Sequence, residues 1–282
     1  MTKPTDTLIV SISDMHSGSS RALFPNRTVQ FADSQTNHKP TPQQENIYKH
    51  WKKCLDVIKK SRDGKRLYII HNGDATENMH HGTIQVVSPS IKDHAEIHIE
   101  LMNEMLKSVG FSKTAGDKLY YVEGTESHTL TVENYIGKEL GAEIAYSVGK
   151  GNEKKEYYAF PELKIDLNGK HFWYTHHGGA AGDGPNEGDA YRNWLKRIYW
   201  NNLKQGKRQP DMVVSAHVHK PTYTTYVQDW HVIHGMILPS WQLKTRYAYR
   251  AAPFQRNDIG LAMTEVTEAG DIRVMKPLIL EL

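Results

Sequence analysis

VVSAHVHKP, residues 213–221, is an apolar run that breaks into two histidines with one valine between them. Val213 and Val214 read as a short buried strand, and Pro221 forbids a continuing ladder. On an extended chain, positions i and i+2 share a face, so His217 and His219 would project together. Two adjacent cationic imidazoles repel, and the pair makes chemical sense when both are neutral and hold something. An isolated His-x-His is more often two surface histidines in a loop. The rest of the chain decides between these readings.

The same ending recurs. Four other strand-like runs, 7–13, 66–71, 118–122 and 171–175, also lead straight into Asp, His or Glu. They deliver Asp14-Met15-His16, Asn72-Gly73-Asp74, the stretch 123–128 with Thr125, Glu126 and His128, and His176-His177-Gly178-Gly179. Helical periodicity is read between them at 41–61, 93–109, 132–140 and 187–203. In the first of these helices Ile47, Trp51, Leu55 and Ile58 share a side, with Thr41-Pro42 as cap and first turn. Strands alternating with helices predict an α/β protein. Asn168-Gly169 marks a hairpin, and the chain beyond His219 reads mostly as strands. Residues 17–40 are polar and long for a loop, which predicts a lid or an interaction arm. With no repeat or linker in view, residues 1–282 read as one domain.

Composition excludes more than it assigns. Hydrophobic content of 38% and charged content of 24% are those of an ordinary globular chain. Thirty-five Lys and Arg against 32 Asp and Glu leave +3, too little to argue polyanion binding alone. Cys54 is the only cysteine, which rules out an internal disulfide and reads as a helix-face residue. No apolar run reaches membrane-spanning length and no basic-then-apolar leader is seen, so a cytoplasmic location is expected. The sixteen histidines matter because they cluster.

In open α/β architectures ligands bind beyond the carboxyl ends of strands, so these endings predict one crevice. They supply it with Asp14, His16, Asp74, His176 or His177, His217, His219 and a group from 125–128. A shell of Asp and His without thiolate suits Mn²⁺ first, then Fe, Zn²⁺ or Ni²⁺, rather than Ca²⁺. So many ligands exceed one tetrahedral ion and fit two ions roughly 3.5–4 Å apart with a bridging carboxylate.

At these residues the chain resembles the calcineurin-like metallophosphoesterases, whose ordered signature is D-x-H, G-D, G-N-H-D/E, H-G and G-H-x-H. The resemblance runs from Asp14 to His219, each motif weak alone and the order specific. It implies an αββα sandwich of two mixed sheets and a dinuclear centre that hydrolyses phosphomono- or phosphodiesters with a metal-bound hydroxide. It implies Asp14, His16, Asp74 and His219 at one ion, and Asp74, His177 and His217 at the second. Two positions depart from the pattern. Thr125 or Glu126 stands where the family has its Asn ligand, and Ala216 stands for Gly. His128 comes two residues late for the family's proton donor and is expected in that role beside Asp74. Similar patterns in phage and prophage members imply such an origin, hence a host-cell cytoplasm.

Around this set, His176, Glu77, His80 and His81 are expected to support the ligands or line the crevice. Lys244, Arg246, Arg250 and Arg256, interleaved with Trp241, Tyr247 and Tyr249, are a surface on which a polyanion could lie. The alternatives are a nuclease of the same superfamily and a non-catalytic binding module with a degenerate site. Metallo-β-lactamase-like enzymes want H-x-H-x-D-H, whereas Lys220, Pro221 and Thr222 follow here. Amidohydrolase-like barrels carry H-x-H on their first strand, and this pair comes late.

Overall fold

The computed structural model describes residues 5–80, 84–129, 131–251 and 257–280. Strands β1 (Thr7–Ile12), β2 (Arg66–Asn72) and β3 (Lys118–Val122) are almost wholly buried, as expected of strands covered on both faces. They pair in parallel, and β4 (Ala159–Phe160) extends that edge. The chain then builds a second sheet from β5 (Leu163–Leu167), β6 (Lys170–Tyr174), β7 (Met212–Ser215), β8 (Thr222–Gln228) and β9 (His231–Ile237). Its order is β8-β9-β7-β6-β5, with β7 parallel to both of its neighbours. Finally β10 (Gly260–Val266), β11 (Ile272–Val274) and β12 (Leu278–Ile279) return to the first sheet, β10 pairing antiparallel with β1. Both sheets are therefore mixed.

Alternation along each strand divides the core. Leu8, Val10, Ile12, Leu67 and Ile69 face α1 (Pro42–Arg62) and α2 (Ile91–Ser108), whose Trp51, Leu55, Ile58, Ile97 and Leu101 join the same cluster. Ile9, Tyr68 and Ile70 face the other way and meet Phe172, Tyr174, Met212 and Val214 of the second sheet. Beyond that sheet, Val213 and Ile233 pack on Tyr191, Leu195 and Ile198 of α5 (Asp189–Lys204). The order helix, sheet, sheet, helix is an αββα sandwich. Three shorter helices, α3 (Glu126–Thr129), α4 (Val132–Glu139) and α6 (Arg246–Ala251), lie in connections.

The expected helices and the strands that lead into the candidate ligands fall within two residues of those observed, while the last expected strand, 272–277, ends at Val274. Thr41 caps α1 through a full capping box with Gln44, and Asn168 and Gly169 both take positive φ, as a two-residue hairpin turn requires. Residues 17–24 are woven into the body: Leu23 and Phe24 are fully buried, and Leu23 N–H bonds to Trp241 O at 3.0 Å. Trp241 itself is buried against Trp51, so it contributes no surface for a polyanion. Cys54 is buried in α1, where burial pushes its thiol up to about 12. No helix among the described residues is long and apolar enough to cross a membrane.

Candidate metal centre

The strand ends converge, by way of sharp turns. Asp14, His16, Asp74, His217 and His219 all have positive φ, five of the eleven non-glycine residues that do so among those described. Such backbone is costly for residues with a Cβ and persists where surrounding contacts impose it. Here the contacts are ladders between the loops: Asp14 N–H bonds to Gly73 O, His16 N–H to Asp74 O and Trp241 N–H to Asp14 O. β7 ends at Ser215, so left-handed turns and not the pleat of a strand place His217 and His219, and they part them into different donor groups, where the sequence had them project together.

Two donor groups flank Asp74. On one side lie Asp14, His16 and His219. The His16 and His219 Nε2 atoms are 3.1 Å apart, and His219 Nε2 is 3.1 Å from Asp14 Oδ1. On the other side lie His176, His177 and His217. Asp74 Oδ2 is 3.1 Å from His176 Nε2 and 3.9 Å from His16 Nε2, which places the carboxylate between the groups. Thr125 closes the second group: its N–H donates to Asp74 Oδ1 at 2.6 Å, and its hydroxyl is 3.4 Å from Asp74 Oδ2 and from His217 Nδ1.

The donor set fits metal ions. Asp14 Oδ1 and His176 Nε2 are buried and make no hydrogen bond, although each has an opposite partner 3.1 Å away. Buried donor atoms left without a hydrogen bond are what a ligand set leaves for an ion. The electrostatics agree. Burial would raise Asp14, but His219 and His176 hold its carboxyl far below the usual range. Burial likewise opposes His16 and His176, yet the carboxylates of Glu77, Asp74 and Asp14 lift them to about 9 and about 10 respectively. Positive charge is stabilised at this point, whether carried by protons or by ions.

The candidates from the sequence lie at different depths, and His177, exposed like His217, stays in one donor group with it and His176. His176, not His177, is the buried member of the pair: its Nδ1 donates to Asn72 O at 2.8 Å, turning Nε2 onto Asp74, while His177 is exposed at the rim. Glu126 is exposed and lines a separate cleft, so Thr125 alone of the two candidates reaches the centre. His128 is near, its ring centroid 4.7 Å from that of His16. Its Nδ1 donates to Glu77 O at 3.1 Å, and burial beside His16 pulls it down to about 4. Its ring lines the cleft over the centre, within reach of a bound ester. His80 lines the cleft, and His81 and Arg256 lie outside the described residues.

No protein-family model matches the chain. Among curated proteins it is similar to the isoleucine–tRNA ligase of Kosmotoga olearia, 24% identical over 197 residues, covering 61% of this chain and 19% of that protein. It is also similar to the isoleucine–tRNA ligase of Thermotoga petrophila, 25% identical over 177 residues, covering 53% and 17%. The chain spans less than a fifth of the length of these curated relatives. Among solved structures it is similar to Vps29 of Entamoeba histolytica complexed with zinc: 12% identity, 96% of this chain, 99% of that chain, TM-score 0.38. The NAD nucleotidase of Haemophilus influenzae is similar at 10% identity, over 97% of this chain and 49% of that one, with a TM-score of 0.42. At these values none of the likenesses assigns an activity, and the chemistry rests on the geometry of the site.

That geometry depends on Glu77, expected from the sequence to orient its neighbours, and on Gln242, Asn257 and Glu133, which no motif announced. Glu77 Oε2 takes His16 Nδ1 at 2.8 Å, and Gln242 Nε2 donates to the same oxygen at 2.7 Å. Asn257 Nδ2 lies 2.9 Å from His219 Nδ1. Glu133 of α4 accepts from the N–H groups of Ala75 and Gly124, tying the loops after β2 and β3 together. Gln242 and Asn257 come from the distant C-terminal part of the chain, where nothing local distinguishes them. The cleft over the centre is about 270 Å³ and is walled on one side by Lys244, Thr245, Tyr247 and Ala248.

Proposed function

We propose that the chain is a calcineurin-like metallophosphoesterase, a metal-dependent hydrolase of phosphomono- or phosphodiesters. The observation that carries this reading is the pair of donor groups on either side of a buried, shared Asp74. Asp14, His16, Asp74 and His219 would hold one divalent ion; Asp74, His176 and His217, with His177 and Thr125 at the edge, would hold the other. Mn²⁺ is the first candidate, with Fe, Zn²⁺ or Ni²⁺ also suited to such ligands. Such a pair, when bound, clamps a phosphoester and lowers the pKa of a water between them.

The chain's own residues prepare that chemistry. Glu77 and Asn72 O hold the outer ring nitrogens of His16 and His176, fixing the orientation in which each inner nitrogen is a ligand, and Asn257 packs against the outer edge of the His219 ring. His217 N–H donates to Asp14 Oδ2 and Thr125 N–H to Asp74 Oδ1, so each carboxylate keeps one oxygen for the centre. Lys244 on the cleft wall supplies positive charge where an anionic ester enters. Phage or prophage origin and a host-cell cytoplasmic location belong to the same reading, supported by the G-D, H-H-G and G-T-x-x-H patterns.

The test is hydrolysis of a chromogenic phosphodiester and its monoester with Mn²⁺, comparing the wild-type chain with Asp74→Asn. Activity should fall roughly 100-fold or more with the circular dichroism spectrum unchanged. A fully active Asp74→Asn ends the assignment, and metal binding without turnover on either ester favours a binding module. One observation favours a nuclease within the class: Tyr247 lines the cleft and Lys244 Nζ lies 4.8 Å over the ring of Tyr249, a surface suited to a base and its phosphate. Cleavage of oligonucleotides that weakens steeply with salt would select it.

A further inference from the structure

Glu77, His80 and His128 form another group of donors on the wall of the same cleft, with ligand atoms all within 4.8 Å of one another. Two of the three donors are aimed by bonds made elsewhere. Glu77 Oε2 is engaged by His16 and Gln242, which leaves Oε1 facing His80 Nε2 at 3.3 Å. His128 Nδ1 is spent on Glu77 O, so Nε2 carries the ring's lone pair. The His80 and His128 rings meet edge to face with centroids 4.0 Å apart, the shortest ring separation among the described residues.

A hydrogen-bonded relay accounts for the contact of His80 with Glu77 but gives His128 Nε2 no part. A bound cation accounts for all three donors. Tetrahedral bonds of about 2.0–2.1 Å separate ligand atoms by about 3.3 Å, and Glu77 Oε1 and His80 Nε2 already stand at that distance. Two imidazoles and one carboxylate are the donor set of an open Zn²⁺ site, with the fourth position left for water or a ligand.

We propose that Glu77, His80 and His128 bind a third divalent cation, Zn²⁺ by its donor set, beside the two-metal centre. It goes beyond the proposed function and is tested apart from it. The full-length chain is stripped with a chelator, dialysed to equilibrium against Zn²⁺, and its bound metal counted by elemental analysis. The wild-type chain is compared with His80→Ala, His80→Gln and Asp74→Asn, with circular dichroism reporting the fold. His80→Gln keeps a hydrogen-bonding side chain and covers the case in which His80→Ala does not fold.

The expected counts are three ions for wild type and two for either His80 variant, with at least one retained by Asp74→Asn. Equal counts in wild type and His80→Gln overturn the third site and leave the two-metal reading intact. Loss of all zinc from a folded His80→Gln also overturns it, by making His80 part of a single centre. One ion in wild type, lost with His80 and kept in Asp74→Asn, supports this site and removes the two-metal centre.

Discussion

His176 and His177 are neighbours in sequence with opposite fates, and the cause is a carbonyl that no motif contains. Asn72 O takes the Nδ1 proton of His176 and fixes its ring against Asp74. The chemistry of the site was legible in residue types; the choice between adjacent histidines was not, because it depends on a hydrogen bond across 104 positions. His98 shows the same dependence. It lies fully buried in α2, with Nδ1 donating to Ala75 O and Nε2 meeting the Tyr121 hydroxyl. Burial pulls it down to about 3, against 6.5 when unfolded. Between those values the unfolded chain binds a proton that the folded chain refuses. Stability present above pH 6.5 is therefore lost as pH falls toward 3, on the order of a few kcal/mol. His16 and His176 are shifted upward and titrate on the alkaline side, whereas His71, His94, His128 and His217 are lowered like His98, so His98 supplies one share of that loss. In chelator, the urea midpoint should fall from pH 6.5 to 5, and less steeply in His98→Gln. An unchanged slope in that variant would place the acid sensitivity elsewhere.

Elements were easier to read than the turns that end them. The 3.6-residue spacing in α1 and the doubly apolar β1 and β2 are local patterns, so their positions followed from sequence to within two residues. The left-handed turns carrying the candidate ligands left no local mark, since Asp and His, not Gly, occupy them. Gly73 is the exception that can be tested. Its φ is +89°, and a Cβ there would lie 2.3 Å from His176 Nδ1. Gly73→Ala should lower the melting temperature and weaken metal binding together. Gly64→Ala is the control, because its φ of +74° carries the same backbone cost with open space around it. Equal metal affinity in the two variants would show that the ring of His176 is not held by this turn. α6 and the hairpin of residues 146–148 and 155–157 also escaped sequence reading, being short, with little apolar periodicity and mostly exposed side chains.

At the scale of the molecule, candidate ligands arrive from both sheets: Asp14 and Asp74 follow β1 and β2, and His176 and His217 follow β6 and β7. Ions held by such a set bind the folded state alone, so they should stabilise the sandwich as a unit. At free metal about 100-fold above Kd the gain is about 2.7 kcal/mol, or a rise of about 5 °C in Tm. Calorimetry with Mn²⁺ and then excess chelator should show that shift with the secondary structure retained. A Tm indifferent to metal would mean that the centre holds none tightly. The sequence by itself determined the α/β alternation, the burial of the strands and the kind of donor at each strand end, since these are written in local periodicity and residue chemistry. Only the tertiary structure decided which histidine faces Asp74, that Thr125 and not Glu126 closes the site, and that Gln242, Asn257 and Glu133 support it. Those choices are made by contacts between segments far apart in the chain, where packing of two sheets sets which lone pairs meet.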